Sequence, residues 1–120
     1  MPAPVPEPHV PLSPAAFHIL LALADDEKHG YAIMQEVAAL TGGQLKLGPG
    51  TLYGAIKRLL ASGWIVESDE RPAPELDDDR RRYYRLSDLG QKIVRAEAAR
   101  LARLVEAARS KRLVTKHWSA

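Results

Sequence analysis

The sequence contains no cysteine, which excludes disulfide bonds, thiolate nucleophiles and cysteine-ligated metals. It also has no apolar run approaching the roughly 20 residues that span a bilayer. Its N-terminus has no basic stretch followed by an apolar core, so nothing resembles a secretion signal. We therefore expect a cytoplasmic protein that neither inserts into a membrane nor is exported.

Motifs that carry catalytic or metal chemistry are missing as well. No nucleophile–base pair, glycine-rich phosphate loop or zinc signature is present. The acidic run Asp77 to Asp79 is typical of a solvated turn rather than of a cation site. The histidines lack the spacing of metal ligands; they are His9, His18, His29 and His117. We therefore expect no enzymatic activity, no cofactor and no bound metal.

Charge is small in total but unevenly distributed along the chain. The formal net charge is +2, yet seven of the fifteen acidic residues fall in residues 67–79. Residues 80–116 carry twelve basic residues against three acidic ones. Because non-specific affinity for nucleic acid scales with the number of phosphates neutralised, this balance favours a regulator that dissociates readily over a protein that coats DNA.

Residues 47–65 predict a short helix with a bare and basic outer face. Pro49 suits the first helical turn, and Gly63 suits the position after the last turn. At about 100° per residue, one apolar stripe forms from Leu52, Ala55, Ile56, Leu59 and Leu60. The opposite side carries Gly50, Tyr53, Gly54, Lys57 and Ala61, with Thr51 and Arg58 flanking it.

The two glycines on this outer face need an explanation, because each lowers helix stability by about 1 kcal/mol relative to alanine. A face that keeps Gly50 and Gly54 suits the close approach of a large partner, and a nucleic-acid groove fits that description. The alternative is an ordinary amphipathic helix whose solvated face carries Gly and Lys. The segment alone leaves both interpretations open.

Two further helices precede this segment. Ser13 is a suitable N-cap, Pro14 suits the first turn, and the apolar residues that follow predict a buried helix. The second helix is expected to open near His29-Gly30 and to stop at Thr41-Gly42-Gly43, where glycines can adopt the left-handed conformation that ends a helix.

A β-ribbon is predicted to follow. Residues 64–68 and 81–86 have the composition of strands, and the prolines between them cannot continue either strand. The predicted fold is therefore mainly α with a small β-ribbon. Three helices followed by a ribbon indicate a winged helix-turn-helix, in which the third helix enters the major groove and the ribbon lies against the DNA backbone.

Three motifs in this order resemble the PadR family of transcriptional regulators. They are His29-Gly30-Tyr31 after an apolar helix, the run from Gly48 to Ile65 containing Gly-Pro-Gly-Thr-Leu-Tyr, and the run Arg81 to Gly90. The match extends over about Leu12 to Leu104. Three motifs at compatible spacing are specific, whereas any one of them would be weak.

The resemblance implies a homodimeric bacterial or archaeal repressor. Such a protein binds double-stranded DNA through its winged helix, dimerises through a C-terminal helix and often loses DNA affinity when a small-molecule effector binds.

Two features depart from the family pattern. Gly54 stands where many members have proline, and the acidic wing tip from Glu75 to Asp79 disfavours a simple contact between the wing and phosphates.

A long C-terminal helix is predicted from Asp88 to about Lys111, with Ser87 as its N-cap. Its roughly 24 residues make a rod of ~36 Å, longer than a small winged-helix core can cover. The exposed apolar stripe predicts dimerisation, and folding back onto its own subunit is the alternative. The predicted dimerisation residues are Val94, Ala98, Leu101, Leu104, Val105 and Ala108. Glu97 at the edge of this stripe argues against a plain two-stranded coiled coil.

Four segments follow from these assignments. We expect a flexible proline-rich tail over residues 1–11, a DNA-binding winged helix over residues 12–87, a dimerisation helix over residues 88–112 and a tail over residues 113–120. Because the symmetry of a dimer is matched by its DNA site, the operator is expected to be an inverted repeat.

The predicted DNA contacts lie on the third helix, near the second helix and on the wing. The glycines allow close approach, Thr51 and Tyr53 reach phosphates or base edges, and the basic residues supply charge. The full set is Tyr31, Lys46, Gly50, Thr51, Tyr53, Gly54, Lys57, Arg58, Arg80, Arg81 and Arg82.

Two other functions remain open at this point. The winged helix could serve as a protein-interaction module, or the protein could bind a small ligand with a secondary role for DNA. Measurable affinity for duplex DNA with a steep salt dependence would indicate a DNA-binding regulator rather than a protein-interaction module. Ligand-induced stabilisation without any DNA binding would indicate the second.

Overall fold

The order of elements is that of a winged helix-turn-helix followed by a long helix, in a computed structural model that describes residues 10–68 and 82–114. The helices of this part are α1 (Pro14–Ala22), α2 (Gly30–Leu40), α3 (Pro49–Ala61) and α4 (Asp88–Ser110). Its strands are β1 (Lys28–His29), β2 (Ile65–Glu67) and β3 (Tyr83–Leu86).

Side-chain caps begin three of the helices. The Ser13 Oγ accepts a hydrogen bond from the Ala16 N–H at 3.2 Å, and the Ser87 Oγ accepts one from the Gly90 N–H at 3.0 Å. At the start of α2, His29 Nδ1 accepts from the Ala32 N–H at 3.2 Å. Each cap satisfies a backbone donor that has no partner inside its own helix. The helix starts predicted at Ser13, His29-Gly30 and Ser87 are confirmed.

Glycines in the left-handed region end α2 and α3. After α3, Gly63 has a φ of 77°, its N–H donates to the Leu60 carbonyl at 3.1 Å, and the Trp64 N–H donates to the Leu59 carbonyl at 3.0 Å. This paired bonding is a Schellman motif, which turns the chain sharply. The turn sends the chain directly from α3 into β2, so the helix and the ribbon stay side by side.

The sheet is antiparallel with the strand order β1-β3-β2. Ile65 pairs with Leu86 and Glu67 with Tyr84, while β1 pairs on the other edge of β3, with His29 opposite Tyr83. The ribbon strands are slightly shorter than predicted. Strand β1 was not predicted, because two residues of sequence Lys-His carry no strand signal of their own and form a strand only when β3 supplies the hydrogen bonds.

One apolar core joins the helices to the sheet. Its fully buried side chains come from all four described helices and from β2, and they include Ile19, Leu20, Ile33, Leu52, Ile56, Ile65 and Ile93. Val94 also lies in this core with 6% of its surface exposed, although its place on the apolar stripe of α4 predicts a dimer contact. The correction has a simple cause: the first half of α4 packs against its own subunit.

Gly90 lets α4 begin in direct contact with the turn after α3. A Cβ on Gly90 would lie 1.9 Å from the carbonyl oxygen of Trp64, a distance that no side chain tolerates. The Ser87 N–H donates to the same oxygen at 3.0 Å, and the Ser87 Oγ donates to the Gly63 carbonyl at 2.6 Å. These contacts fix the direction of α4 relative to the end of α3.

A buried carboxylate connects α4 to the start of the described chain. Glu97 is 2% exposed. Its Oε2 accepts from the Leu12 N–H at 2.9 Å, and the Arg100 side chain donates to both carboxylate oxygens at 2.6 and 3.0 Å. The hydrogen bonds from Arg100 and Leu12 hold the pKa of Glu97 below its ordinary value, against burial, which raises it.

We expect Glu97→Gln to destabilise the protein by about 1–3 kcal/mol at neutral pH, because it weakens the hydrogen bonds of two donors. Since the folded pKa of Glu97 is lowered, its ionised form stabilises the fold above the unfolded pKa. That contribution is lost as the pH falls through the lowered folded pKa. Denaturant unfolding from pH 7 down to pH 3 measures both effects. Glu27→Gln, between α1 and β1 and outside α4, provides the control, and equal losses in both variants at every pH would contradict the role of Glu97.

Candidate nucleic-acid interface

The start of α3 is an uncapped helix end. Its N-cap, Gly48, contributes no side-chain hydrogen bond, and no acidic residue occupies the first turn. Gly50 and Thr51 are exposed there. The first N–H groups of a helix carry partial positive charge and suit contact with an anion such as a phosphate. Because α3 contains no aspartate or glutamate at all, nothing on this helix opposes that charge.

Packing within the subunit does not require a glycine at position 50 or 54. No described heavy atom comes within 4 Å of a Cβ placed on Gly50. A Cβ on Gly54 would meet only the Nη1 of Arg58, at 3.7 Å, which is an ordinary van der Waals distance. The fold therefore carries two helix-weakening residues without an internal steric reason, which supports their use in close approach by a partner.

Tyr53 is half-buried, not open to solvent as the helical projection suggested. Its ring lies over Gly30 at the start of α2, where an added Cβ would come within 2.5 Å of the Tyr53 hydroxyl oxygen and 2.8 Å of two ring carbons. Gly30 is thus the residue that lets α3 and α2 meet, a role that was not predicted from the sequence. The Gly30-Tyr31 pair at a helix start was the available signal.

Basic side chains surround the exposed part of α3. Lys57 and Arg58 are exposed on its outer side, and Lys46 is exposed in the loop before it. Arg82, immediately before β3, is partly buried, and its Nη1 lies 3.5 Å from the Glu67 Oε2 on β2. The structure thus brings Lys57 and Arg82 to the two sides of one cleft between α3 and the ribbon.

An aromatic group lies at the start of α2. The ring of His29 meets Tyr83 edge-on, with centroids 5.4 Å apart, and stacks on Tyr31 at 6.5 Å. Tyr31 is 53% exposed, whereas His29 uses Nδ1 to cap its helix. Tyr84 is buried in the core, where a strand tyrosine packs against its cross-strand neighbours.

Several predicted features lie outside the described residues. These are the wing residues Arg80 and Arg81, the acidic tip Glu75 to Asp79, most of the proline-rich tail, His9 and His117. Within residues 10–68 and 82–114, no three histidine, aspartate or glutamate side chains are grouped to hold a metal ion. In the same part of the chain, no helix has both the length and the apolar character needed to cross a membrane.

The second half of α4 leaves an apolar face uncovered by the described residues. Leu104 is 55% exposed, Ala98 is exposed, and Leu101, Val105 and Ala108 are partly exposed. Between this face and Phe17 of α1 lies a groove of about 400 Å³. Val94 lies in the core, but the other five residues of the predicted stripe are accessible on the subunit surface.

Comparison with known proteins places this geometry in a family. A family model described as the transcriptional regulator PadR-like family matches residues 19–96, well over half of the chain. The chain is also similar to an uncharacterised 37.1 kDa protein in transposon Tn4556 of Streptomyces fradiae, with 37% identity over 86 residues. That match covers 72% of this chain but only 22% of the transposon protein.

Solved structures show the same fold at low sequence identity. A PadR family transcription regulator from Clostridium difficile has a TM-score of 0.66 at 19% identity, with 82% of this chain and 97% of that chain covered. A transcriptional regulator from Clostridium thermocellum has a TM-score of 0.63 at 23% identity, covering 80% and 87%. RosR of H. salinarum has a TM-score of 0.61 at 23% identity, covering 82% and 79%.

Proposed function

The chain belongs to the PadR-like family of transcriptional regulators, and from this membership and the surface of α3 we propose that it binds a specific DNA operator as a homodimeric repressor. A small-molecule effector would release it from the operator. Acting on the chromosome of a bacterium or archaeon, it would work in the cytoplasm. Residues 12–87 would form the DNA-binding unit and residues 88–112 the dimerisation helix.

The observation that carries this proposal is the outer face of α3. A Cβ on Gly50 would meet no described atom within 4 Å, and one on Gly54 would meet only the Arg58 Nη1 at 3.7 Å. Lys57 and Arg58 are exposed beside them. A major groove is about 12 Å wide and just admits a helix with its side chains, so a helix with two bare positions can approach base edges closely. We propose that Thr51 and Tyr53 contact phosphates or base edges.

Phosphate contacts around this helix would set the orientation on the duplex. We propose such contacts for the uncapped N-terminus of α3, and for Lys46 in the preceding loop and Tyr31 at the start of α2, which are both exposed. Arg80, Arg81 and Arg82 would contact the backbone from the wing. Such contacts position a protein without reading sequence, and base contacts from α3 would supply the specificity.

Dimerisation is proposed through the uncovered face of α4. The groove beside Phe17 and the exposed Leu104 are apolar surface that a second copy of the same helix can bury. A two-fold dimer presents two copies of α3, and an inverted repeat with half-sites about 34–36 Å apart would match them.

The direct test is the salt dependence of DNA binding. We expect Lys57→Ala to weaken operator binding and to reduce the slope of log K against log salt by about one per subunit, because one phosphate contact is lost. Fluorescence anisotropy with a labelled duplex at several salt concentrations measures this. Lys111→Ala, at the far end of α4, removes the same charge outside the proposed interface and serves as the control.

An unchanged slope and affinity for Lys57→Ala would contradict the assignment of this face to DNA. Equal effects of both substitutions would show that net charge alone, and not the α3 surface, governs binding. If the wild-type protein binds no duplex while keeping the same fold, a protein-interaction role becomes the better proposal.

A further inference from the structure

A cleft of about 620 Å³ lies between the outer face of α3 and the ribbon formed by β2 and β3. Its walls are mainly apolar: Tyr53, Ile56 and Leu60 line it from α3, and Tyr84 lines it from β3. The volume falls within the roughly 300–1,000 Å³ of pockets that hold small organic molecules. The cleft is therefore large enough for a ligand of one or two rings.

The charged groups among the described lining residues favour an anion. Lys57 stands on the α3 wall, and Arg82 stands on the ribbon wall beside Glu67, which lies 3.5 Å from the Arg82 guanidinium. Lys57 thus faces the Arg82–Glu67 pair across an apolar surface, so that two cations and one carboxylate line the described part of the cleft. A ligand acid can approach Lys57 and compete with Glu67 for Arg82, whereas a ligand cation would meet two like charges.

We propose that this cleft binds a small amphipathic anion, an apolar body carrying one sulfonate or carboxylate group. The apolar body would lie against Leu60 and Tyr84, and the acidic group would face Lys57 and Arg82. A bare phosphate fits the cleft less well, because it would leave the apolar walls in contact with water and gain nothing from their burial.

Binding in this cleft regulates DNA binding by direct overlap, a step that rests on the proposed function. Lys57 and Tyr53 border the cleft and also belong to the proposed DNA surface. A ligand seated there occupies the space that a DNA strand needs beside α3. The effect is reciprocal, because two ligands that exclude each other lower each other's affinity by the same factor.

Anilinonaphthalenesulfonate is a suitable probe for the cleft itself, since its fluorescence rises in an apolar site. We expect saturable binding, with affinity reduced roughly tenfold for phenylnaphthylamine, which lacks the acidic group, because the interaction with Lys57 and Arg82 is missing. Lys57→Gln should weaken binding of the sulfonate, and Glu67→Gln should strengthen it. Lys111→Gln, outside the cleft, should leave it unchanged.

Opposite responses of the two cleft variants identify the site even if one of them is less stable. A sulfonate affinity that neither Lys57→Gln nor Glu67→Gln alters overturns the proposal, as does equally tight binding of the uncharged probe. Displacement of the probe by millimolar inorganic phosphate would indicate a simple anion site and would also overturn it.

Measuring duplex binding in the presence of the probe separates this proposal from the function on which it rests. Saturating sulfonate probe should lower duplex affinity in the wild-type protein, measured by anisotropy. Probe binding at the cleft with no duplex binding at all would support the ligand site and contradict the proposed function. Duplex binding that the cleft-bound probe does not weaken would overturn the regulatory step.

Discussion

Replacing Leu101 and Leu104 together with aspartate is expected to dissociate the proposed dimer and abolish tight operator binding. Both side chains lie on the second half of α4, where Leu104 is 55% exposed and Leu101 lines the apolar groove. An unpaired charge buried in an apolar interface costs several kcal/mol. The subunit fold should survive, because neither residue belongs to the core that the first half of α4 completes.

Sedimentation at micromolar concentration and operator titration measure these two losses in the same sample. Leu40→Asp is the matched control, since Leu40 is 50% exposed at the end of α2 and lies outside the α4 face. It should stay dimeric. A folded Leu101/Leu104 double variant that is monomeric and still binds the operator with wild-type affinity would contradict the dimeric account, and a monomeric wild type would do so directly.

Gly54→Ala is expected to raise stability and lower DNA affinity at the same time. A Cβ at this position meets only the flexible end of Arg58, so alanine should stabilise the helix by about 1 kcal/mol and raise Tm by a few degrees. In the major groove, the added methyl group would stand between the helix and the base edges. We expect the operator affinity to fall roughly tenfold, equivalent to about 1.4 kcal/mol.

Opposite changes in the two measurements are what distinguish a functional glycine from a structural one. Gly90→Ala provides the contrast, because its Cβ would collide with the Trp64 carbonyl at 1.9 Å and should destabilise the protein. A more stable Gly54→Ala variant with unchanged operator affinity would show that DNA does not approach this face closely. A less stable one would reveal a packing role for Gly54.

Local signals in the sequence predict most of the fold. Ser13 and Ser87 cap their helices, and Gly63 ends α3, because each of these effects depends on atoms within a few residues along the chain. The apolar period of α3 likewise predicts which side is buried. The outer positions Lys57 and Arg58 are exposed as that period requires.

Features that depend on distant partners could not be predicted. The Leu12 N–H reaches Glu97 across 85 residues, and the ring of Tyr53 rests on Gly30. Nor does the periodicity of α4 show where its contact with its own subunit ends, so Val94 was assigned to the wrong interface. In each case a helical projection gives the side on which a residue lies, but not the neighbour that covers it.

The central claim, that two copies of α3 read a specific operator, is tested most directly by selecting duplexes from a random DNA library with the wild-type protein. The account predicts enrichment of an inverted repeat whose half-sites are centred about one helical turn apart, with the enriched sequence bound far more tightly than unrelated DNA. Failure to enrich any sequence, with only weak binding common to all duplexes, would contradict it.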